Sequence, residues 1–438
     1  MLKRKIERQL IKWKDNPNHN PLVIKGCRQC GKTYTAMHFA SENYRSVVYI
    51  NFIENHLFKE VFEKNIDISG VVMQLSAILG SSVKFIPYET CIILDEIQEC
   101  PEARAFLKFF KLDGRYDIIA TGSLLGISGY RERPVSIPVG YETTITMYPL
   151  DFEEFLWARE VTEEYIRDIK DHLKKLEPLS DSIITYMNQL MYEYIVVGGM
   201  PAVVVNFKEN GVLNDVLAMQ RDIVNGYRDD MMKYSPNPVK SKIRECFDSI
   251  PRQLAKENKK FQFSQVEKGG RASKFEGVIK WIEDAGVIQL CHNLSTPEMP
   301  FIGNAEQNVF KVYMTDIGLL VSMFDDGTQF DILQGRIYTY KGAIIENLIA
   351  DFFTKEGKKL YYYKKDSGLE IDFIIRWEDE VTLVECKSSD GNVKSAKTVL
   401  AHPEKYHVYR AIKLGNKNVG EKDGMVTLPL FMGAFLFA

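Results

Sequence analysis

Apolar residues along this chain change their period several times, and the changes divide it. Near the N-terminus Leu2, Ile6, Leu10, Ile11 and Trp13 recur at helical spacing, which predicts an amphipathic helix. Residues 21–25 (PLVIK) are a short apolar strand, after which Ala36, Phe39 and Ala40 return to helical spacing. The runs SVVYINF (46–52), CIIL (91–94) and YDIIATGS (116–123) lack polar alternation, the pattern of strands buried on both faces of a parallel sheet. From Asp151 onward the period turns helical, through DFEEFLWARE and residues 162–189. A Gly-Gly-Met-Pro turn at 198–201 interrupts it, either as a hinge or as a tight helix connection. Residues 240–295 read as helix, short strand into helix, then helix and strand. Residues 341–357 are helical, LYYYKK is a strand, and 368–389 alternate as two strands joined by a charged turn. The terminal LPLFMGAFLFA reads as a closing buried strand.

A length of 438 residues suits about three domains at roughly 150 residues each. Hydrophobic residues at 45% and charged residues at 26% fit an ordinary globular protein, and a net charge of −3 gives no global attraction to nucleic acid. A basic nucleic-acid-binding face would therefore have to be local. The N-terminus starts with charges and never develops the apolar run of a signal peptide, and no stretch reaches the roughly 18 apolar residues of a membrane span. The expected location is the cytoplasm, with no membrane partner. Seven cysteines form no disulfide framework, and the single C-x-x-C, Cys27 and Cys30, has no second pair to complete a zinc site. The expectation is that both fill variable positions of the loop in which they sit.

That loop carries the strongest chemistry. GCRQCGKT (26–33) is G-x-x-x-x-G-K-T between a strand and a helix. Gly26 and Gly31 allow dihedrals and close approaches that a side chain would block. Backbone amides converging on a helix N-terminus cradle a phosphate, Lys32 reaches the β- and γ-phosphates, and the Thr33 hydroxyl is a Mg²⁺ ligand. The nucleotide, ATP, would contact Gly26, Cys27, Arg28, Gln29, Cys30, Gly31, Lys32, Thr33 and Tyr34. The buried run 91–94 ends in Asp95 and Glu96, carboxylates at the C-terminal rim of the sheet where ligands bind. Asp95 would hold Mg²⁺ and Glu96 would polarise the attacking water. Thr121 and Ser123, at the end of YDIIATGS, would sense the γ-phosphate, and Asn51 would emerge on the same rim. Four strands with intervening helices make a doubly wound P-loop fold.

GCRQCGKT, LDEIQ, ATGS and MYPLDFEEF (147–155), with YIVVGGMPAVV (194–204) and YRDDMMKY (227–234) downstream, cover nearly the whole chain in order. In them the chain resembles the bacterial and archaeal two-part AAA-type ATPases that join a P-loop domain to a large C-terminal domain of unknown function. The resemblance implies an ATPase and a homo-oligomer. One departure is that SIPVGYETTITMYPL holds no arginine to act in a neighbouring subunit; the nearest are Arg131 and Arg133.

Residues 240–300 resemble a winged helix whose GVIKWIEDAGVI helix carries Lys274 at its approach and Lys280 within it, beside Glu276, Glu283 and Asp284. Both DNA contact and a protein–protein spacer fit that charge mixture. In the last quarter Glu346 is a lone carboxylate among Ala343, Ile344, Ile345, Leu348 and Ile349, costly to bury unless paired or metal-bound. With Asp372, Glu385 and Lys387 it resembles the helix–strand–strand core of the restriction-endonuclease-like PD-(D/E)XK nucleases, without the proline of that name. The resemblance implies Asp372 and Glu385 as ligands of a second Mg²⁺ or Mn²⁺, helped by Glu346. Lys387 would activate water, Cys386 would face the opposite, buried side, and Glu370 would join or flank Asp372.

The expected fold is α/β. It comprises an AAA-type P-loop ATPase domain over 1–150, a helical lid or connector over 151–239, a winged-helix-like domain over 240–300 and a nuclease-like domain over 301–438. The expected function is a Mg-dependent ATPase coupled to a DNA- or RNA-binding or nuclease-like C-terminal domain. The alternative is an ATP-dependent DNA- or protein-binding switch with an inactive nuclease fold.

Overall fold

The computed structural model describes residues 2–63, 67–81, 83–123, 139–235, 239–270, 272–275, 277–336, 340, 342–387 and 393–437. The chain divides into two compact units. One holds Arg4–Pro149 with Asp284–Gly286, and the other holds Leu150–Glu283 and Val287–Ala438 with the first residues of the chain.

The first unit is a five-stranded parallel sheet of β1 (Leu22–Gly26), β2 (Ser46–Asn51), β3 (Thr90–Asp95), β4 (Asp117–Ser123) and β5 (Thr143–Met147). The strands lie in the order β2-β3-β4-β1-β5. Their sequences do not alternate because both faces are covered. Val23, Ile92, Leu94, Ile118 and Ala120 pack on the helices Leu57–Glu63, Ile68–Leu79 and Pro101–Asp113. Leu22, Ile24, Cys91, Ile93 and Ile119 pack on Ile6–Asp15 and Lys32–Asn43 from the other side. The N-terminal helix buries Ile6, Leu10 and Trp13, as its spacing predicts, and leaves Ile11 exposed.

The second unit opens with helices. Phe152–Ala158 starts in a capping box, with Asp151 accepting from the Glu154 amide at 2.8 Å and Glu154 from the Asp151 amide at 3.1 Å. Helices Glu163–Lys175, Asp181–Val197, Pro201–Asn210, Leu213–Tyr234 and Lys240–Leu254 follow. Of the two readings of the Gly-Gly-Met-Pro turn, the geometry is that of a tight connection. Gly198 has φ +71°, and a Cβ on Gly199 would lie 2.0 Å from the Leu150 carbonyl oxygen. The Gly199 amide donates to Asp316 at 2.7 Å, and its carbonyl accepts from the Leu150 amide at 2.7 Å. An open hinge would leave those groups to solvent.

The helix Val278–Asp284 leads into an antiparallel pair, β6 (Ile288–Leu294) and β7 (Ala305–Met314). This pair joins β8 (Leu360–Lys364) and β9 (Glu370–Ile371) in the order β7-β6-β8-β9. A second sheet holds β10 (Phe373–Trp377), β11 (Glu380–Cys386), β12 (Arg410–Gly415), β13 (Gly420–Lys422) and β14 (Met425–Pro429), in the order β10-β11-β12-β14-β13. The charged turn is a two-residue hairpin: Trp377 faces Glu380, and Glu378 and Asp379 have φ of 48° and 65°. The helix Ala343–Lys355 is buried almost throughout.

The chain's end differs from expectation. The strand stops at Pro429, and Leu430–Phe435 is a buried 3-10 helix. Pro429 has no N–H to continue a ladder. Gly433 lets this turn sit close to Ile349, Phe352 and Leu414, where a Cβ would come within 2.9 Å of Ile349. Among the described residues, no helix is long and apolar enough to cross a membrane.

Candidate functional site

The carboxyl ends of the five parallel strands assemble the first site. Gly26 ends β1, opposite Ser123 of β4 and Met147 of β5, and Asn51 ends β2 opposite Asp95 of β3. Gly26 is dictated by its neighbours: a Cβ there would lie 2.3 Å from the Met147 carbonyl oxygen and 2.9 Å from the Cys30 sulfur. Gly31, at φ +96°, turns the loop into the helix Lys32–Asn43. Gln29 also adopts a left-handed conformation, at φ 62°. The Arg4 guanidinium staples the loop to the strand beside it, donating to the carbonyls of Cys30 at 3.1 Å and Tyr148 at 2.7 Å. Cys27 and Cys30 are buried cysteines outside any disulfide, in the core beneath the loop. A hydrogen bond to Cys27, outweighing burial, holds the Cys30 thiol below its ordinary range. Arg28 is half-buried and Tyr34 is 62% exposed, at the outer side of the loop.

Lys32 is buried, and among the described residues its ammonium donates to the carbonyls of Cys27 at 2.8 Å and Gly26 at 3.3 Å. It thus lies curled over the loop whose amides would meet a phosphate. Asp95 is the hub beside it. Its Oδ1 accepts from Thr33 Oγ1 at 2.9 Å and from the Thr121 hydroxyl, and its Oδ2 accepts from Tyr49 at 2.7 Å and Asn51 at 3.4 Å. Glu96, the next residue, is half-buried and has φ 54°, a costly left-handed conformation. Gln98 donates to it. Ser123 is half-buried at the end of β4.

The donor set fits Mg·ATP. A hydroxyl and a carboxylate share one point at the foot of the loop, a lysine that donates to loop carbonyls lies over it, and the loop runs into a helix N-terminus of the kind that favours phosphate. Two residues of this hub differ from sequence expectation. Tyr49 was not singled out, since a tyrosine inside a buried run reads as core. Thr121, expected at the γ-phosphate, spends its hydroxyl on Asp95. Arg131 and Arg133 lie outside the described residues.

A second cluster of charge lies between the two sheets of the other unit. β9 and β10 are successive pieces of one strand, the first paired in one sheet and the second in the other, and Asp372 stands at the break. Its Oδ2 accepts from the Cys386 amide at 2.8 Å and lies 3.5 Å from Lys387 Nζ. Lys387 also reaches Glu385 at 2.8 Å, so one ammonium bridges the two carboxylates. Burial and the neighbouring acid push Glu385 up; burial and Glu346 push Asp372 up. Burial works against the Lys387 ammonium, and the two carboxylates outweigh it and raise its pKa. The Cys386 side chain is buried.

Glu346 has other partners. It pairs with Lys259, lies 3.4 Å from Lys311 Nζ, and accepts from the Tyr313 hydroxyl at 2.9 Å. Burial would raise this carboxyl, yet Lys311 and Lys259 outweigh it and hold it well below the usual range. Lys311 also pairs with Glu370 at 2.9 Å, and Lys364 meets Glu370 at 2.6 Å. The structure therefore joins Asp372, Glu385 and Lys387 and sets Glu346 apart on its own cations. Among the described residues, no three acidic, histidine or cysteine side chains converge as a metal-binding group. Lys259 and Lys311 escaped the sequence reading. Alternation in NVFKVYM puts Lys311 and Tyr313 on one face, the single available signal, whereas nothing near Lys259 marks it as buried.

Residues 18–156 match the AAA domain family, 188–329 a domain of unknown function (DUF8612), and 341–431 a domain of unknown function (DUF4143). No curated protein matches the chain. Among solved structures, the Walker-type ATPase PABY2304 of Pyrococcus abyssi is 15% identical at a TM-score of 0.43, covering 74% of this chain and 96% of its own. The Aeropyrum pernix ORC2 protein in ADPNP–ADP complexes is 13% identical at 0.36, covering 77% and 93%. The Thermotoga maritima RuvB Holliday junction branch migration motor is 11% identical at 0.30, covering 66% and 89%. Overlays this loose carry no functional argument. Sheet order, phosphate loop and the AAA match agree on an ATP-binding ATPase domain of the AAA type over residues 18–156.

Proposed function

We propose that this protein is a Mg-dependent ATPase whose nucleotide state governs a metal-dependent, phosphodiester-directed centre in its second unit. The observation that carries the ATPase half is the hydrogen bond from Thr33 to Asp95, which unites the phosphate loop after β1 with the carboxylate at the end of the buried β3, two strands away in the sheet. When bound, Mg·ATP would supply the phosphoanhydride and the charge of the ion. Thr33 and Asp95 would hold the ion, Lys32 would exchange its carbonyl partners for the phosphates, Glu96 would orient the attacking water, and Ser123 would read the γ-phosphate. For the second centre, support comes from Asp372 and Glu385 on one lysine, hard oxygen donors suited to Mg²⁺ or Mn²⁺. Lys387 stabilises charge on the scissile phosphate, with DNA or RNA as substrate. The helices Lys240–Leu254 and Val278–Asp284 and the strand β6 support a winged-helix reading of 240–300, although the expected strand leading into a helix between them is replaced by 3-10 turns at Phe263–Gln265 and Ala272–Phe275. Lys274 and Lys280 are paired with Glu267 and Glu283, which favours a spacer over a DNA-reading helix. A cytoplasmic homo-oligomer completes the proposal.

One observation favours a second reading, an ATP-driven binding switch with an inert nuclease-like domain: Glu346 is held by two lysines rather than left for a metal. Labelled DNA and RNA incubated with Mg²⁺ or Mn²⁺, with and without ATP, separates the two. Cleavage lost in Asp372→Ala and ATP-dependent through Lys32 supports the first. ATP hydrolysis lost in Lys32→Ala, with no cleavage of any substrate, leaves the switch.

A further inference from the structure

Cys27 and Cys30 hold two of the four variable positions between Gly26 and Gly31, and their side chains meet beneath the phosphate loop. Cys27 hydrogen-bonds to Cys30, and both pack in the core below the loop, 4% and 0% exposed. Their surroundings are electropositive. Arg4 donates to the Cys30 carbonyl at 3.1 Å, Lys32 donates to the Cys27 carbonyl at 2.8 Å, and the helix Lys32–Asn43 begins two residues beyond Cys30. The Cys27 hydrogen bond first, then the charges of Lys32 and Arg4, outweigh burial and bring the Cys30 thiol down to about 6. Helix N-termini, neighbouring cations and C-x-x-C spacing are the settings that favour a thiolate, the reactive form of the residue. Five other cysteines stand in the opposite environment: burial pushes the thiols of Cys91, Cys100, Cys246, Cys291 and Cys386 up. One pair of sulfurs is thus set apart for reaction, and it sits inside the ATP loop.

We propose that Cys27 and Cys30 are an oxidation site, which hydrogen peroxide closes into a disulfide that shuts the phosphate loop to ATP and which a thiol reductant reopens. The inference rests on the nucleotide-binding reading of this loop and adds a control to it. The Cys30 thiolate attacks one peroxide oxygen, the O–O bond breaks, the other oxygen takes up a proton and leaves as water, and Cys30 becomes a sulfenic acid. The Cys27 thiol then attacks the Cys30 sulfur, the S–O bond breaks, and the hydroxyl leaves with the Cys27 proton as a second water. Two thiols and one peroxide yield one disulfide and two waters. Burial filters the oxidant by size: peroxide is little larger than water, whereas a peptide disulfide such as oxidised glutathione is far larger. The Cys30 sulfur lies 3.5 Å from the Met147 carbonyl oxygen and would stand 2.9 Å from a Cβ on Gly26, so it is wedged against the ends of β5 and β1. A covalent S–S bond of about 2 Å is shorter than any hydrogen-bonded contact of two sulfurs. Forming it draws Cys30 off that seat and cinches residues 27–30. The amides of Arg28, Gln29 and Cys30 lie within the ring so closed, and a phosphate needs them aimed at it.

The test is calorimetric binding of a non-hydrolysable ATP analogue with Mg²⁺ to the full chain, before hydrogen peroxide, after it, and again after dithiothreitol. Peptide mass mapping without reduction identifies the bond formed. The expected result is a Cys27–Cys30 disulfide in the treated protein, an affinity at least ~10-fold weaker, and recovery of both with dithiothreitol. Cys30→Ala, which lacks the attacking sulfur, should keep its own affinity through the same treatment, whatever that affinity is. Should this variant fail to fold by circular dichroism, mapping and calorimetry on the natural chain decide the matter. No Cys27–Cys30 bond after peroxide, an affinity unchanged by the complete bond, or an equal loss in Cys30→Ala would overturn the inference and leave the nucleotide site standing. A reduced natural chain that binds no analogue would remove the nucleotide reading, and this inference with it.

Discussion

Replacing Glu346 by leucine is the sharpest test of how the second unit is held together. The carboxylate pairs with Lys259, lies near Lys311 and accepts from Tyr313. Lys311 keeps Glu370 at 2.9 Å after the change, so its charge stays compensated. Among the described residues Lys259, 6% exposed, pairs with Glu346 alone and would be stranded. Breaking one buried pair from one side costs about 3–5 kcal/mol, a large part of a domain's net stability of roughly 5–15 kcal/mol. At about 2–4 °C per kcal/mol, the midpoint of thermal unfolding should fall by roughly 6–20 °C. Tryptophan fluorescence follows this unit, because Trp157, Trp281 and Trp377 lie in it and Trp13 in the other. Adding Lys259→Met should restore most of the loss, since both charges then leave the interior together. A Glu346→Leu protein within about 1 kcal/mol of the natural one, or a double variant no better than the single, would refute the argument.

Three further outcomes are expected. Tyr49→Phe removes the 2.7 Å hydrogen bond that orients Asp95, a charge-assisted bond of about 1.5–3 kcal/mol, so ATPase kcat should fall roughly tenfold or more; a change under twofold would show that Thr33, Thr121 and Asn51 suffice. Gly199→Ala forces a Cβ to 2.0 Å from the Leu150 carbonyl and should cost about 3 kcal/mol or more in urea unfolding; a cost under about 1 kcal/mol would show that the joint gives way. The His19 pKa is raised, first by its hydrogen bond to Asp117, against burial. A raised pKa means that the folded protein binds this proton more tightly than the unfolded chain. The stabilisation is complete below the unfolded value of about 6.5 and is lost as pH rises through the folded value. Thermal midpoints measured from pH 6 to 9 should decline in the natural protein and decline less in His19→Asn.

The ATP site was legible because its chemistry is local in sequence. Eight consecutive residues, 26–33, hold the phosphate loop, and the buried run before Asp95 announces both the strand and the rim at which its carboxylate emerges. Backbone dihedrals at Gly31 and the steric demand at Gly26 leave little choice of residue, so the pattern survives as text. The hairpin 373–386 was equally readable, since period-two alternation and a two-residue turn are short-range properties. The identity of a carboxylate's partners is not short-range. Glu346 stands out from its apolar helix as a charge in need of compensation, and that need is visible from sequence alone. Whether a metal or an ammonium meets it depends on Lys259 and Lys311, 87 and 35 positions away, brought in by the loop after the helix Lys240–Leu254 and by β7. Tyr49 is hidden in the same way, because a core tyrosine and one that orients Asp95 look identical along a strand. Covalent neighbourhood and periodicity let the sequence determine the elements, the phosphate loop and which acids must be answered. Only the tertiary structure decides what answers them, because Coulomb and hydrogen-bond energies act over a few ångströms in space regardless of distance along the chain.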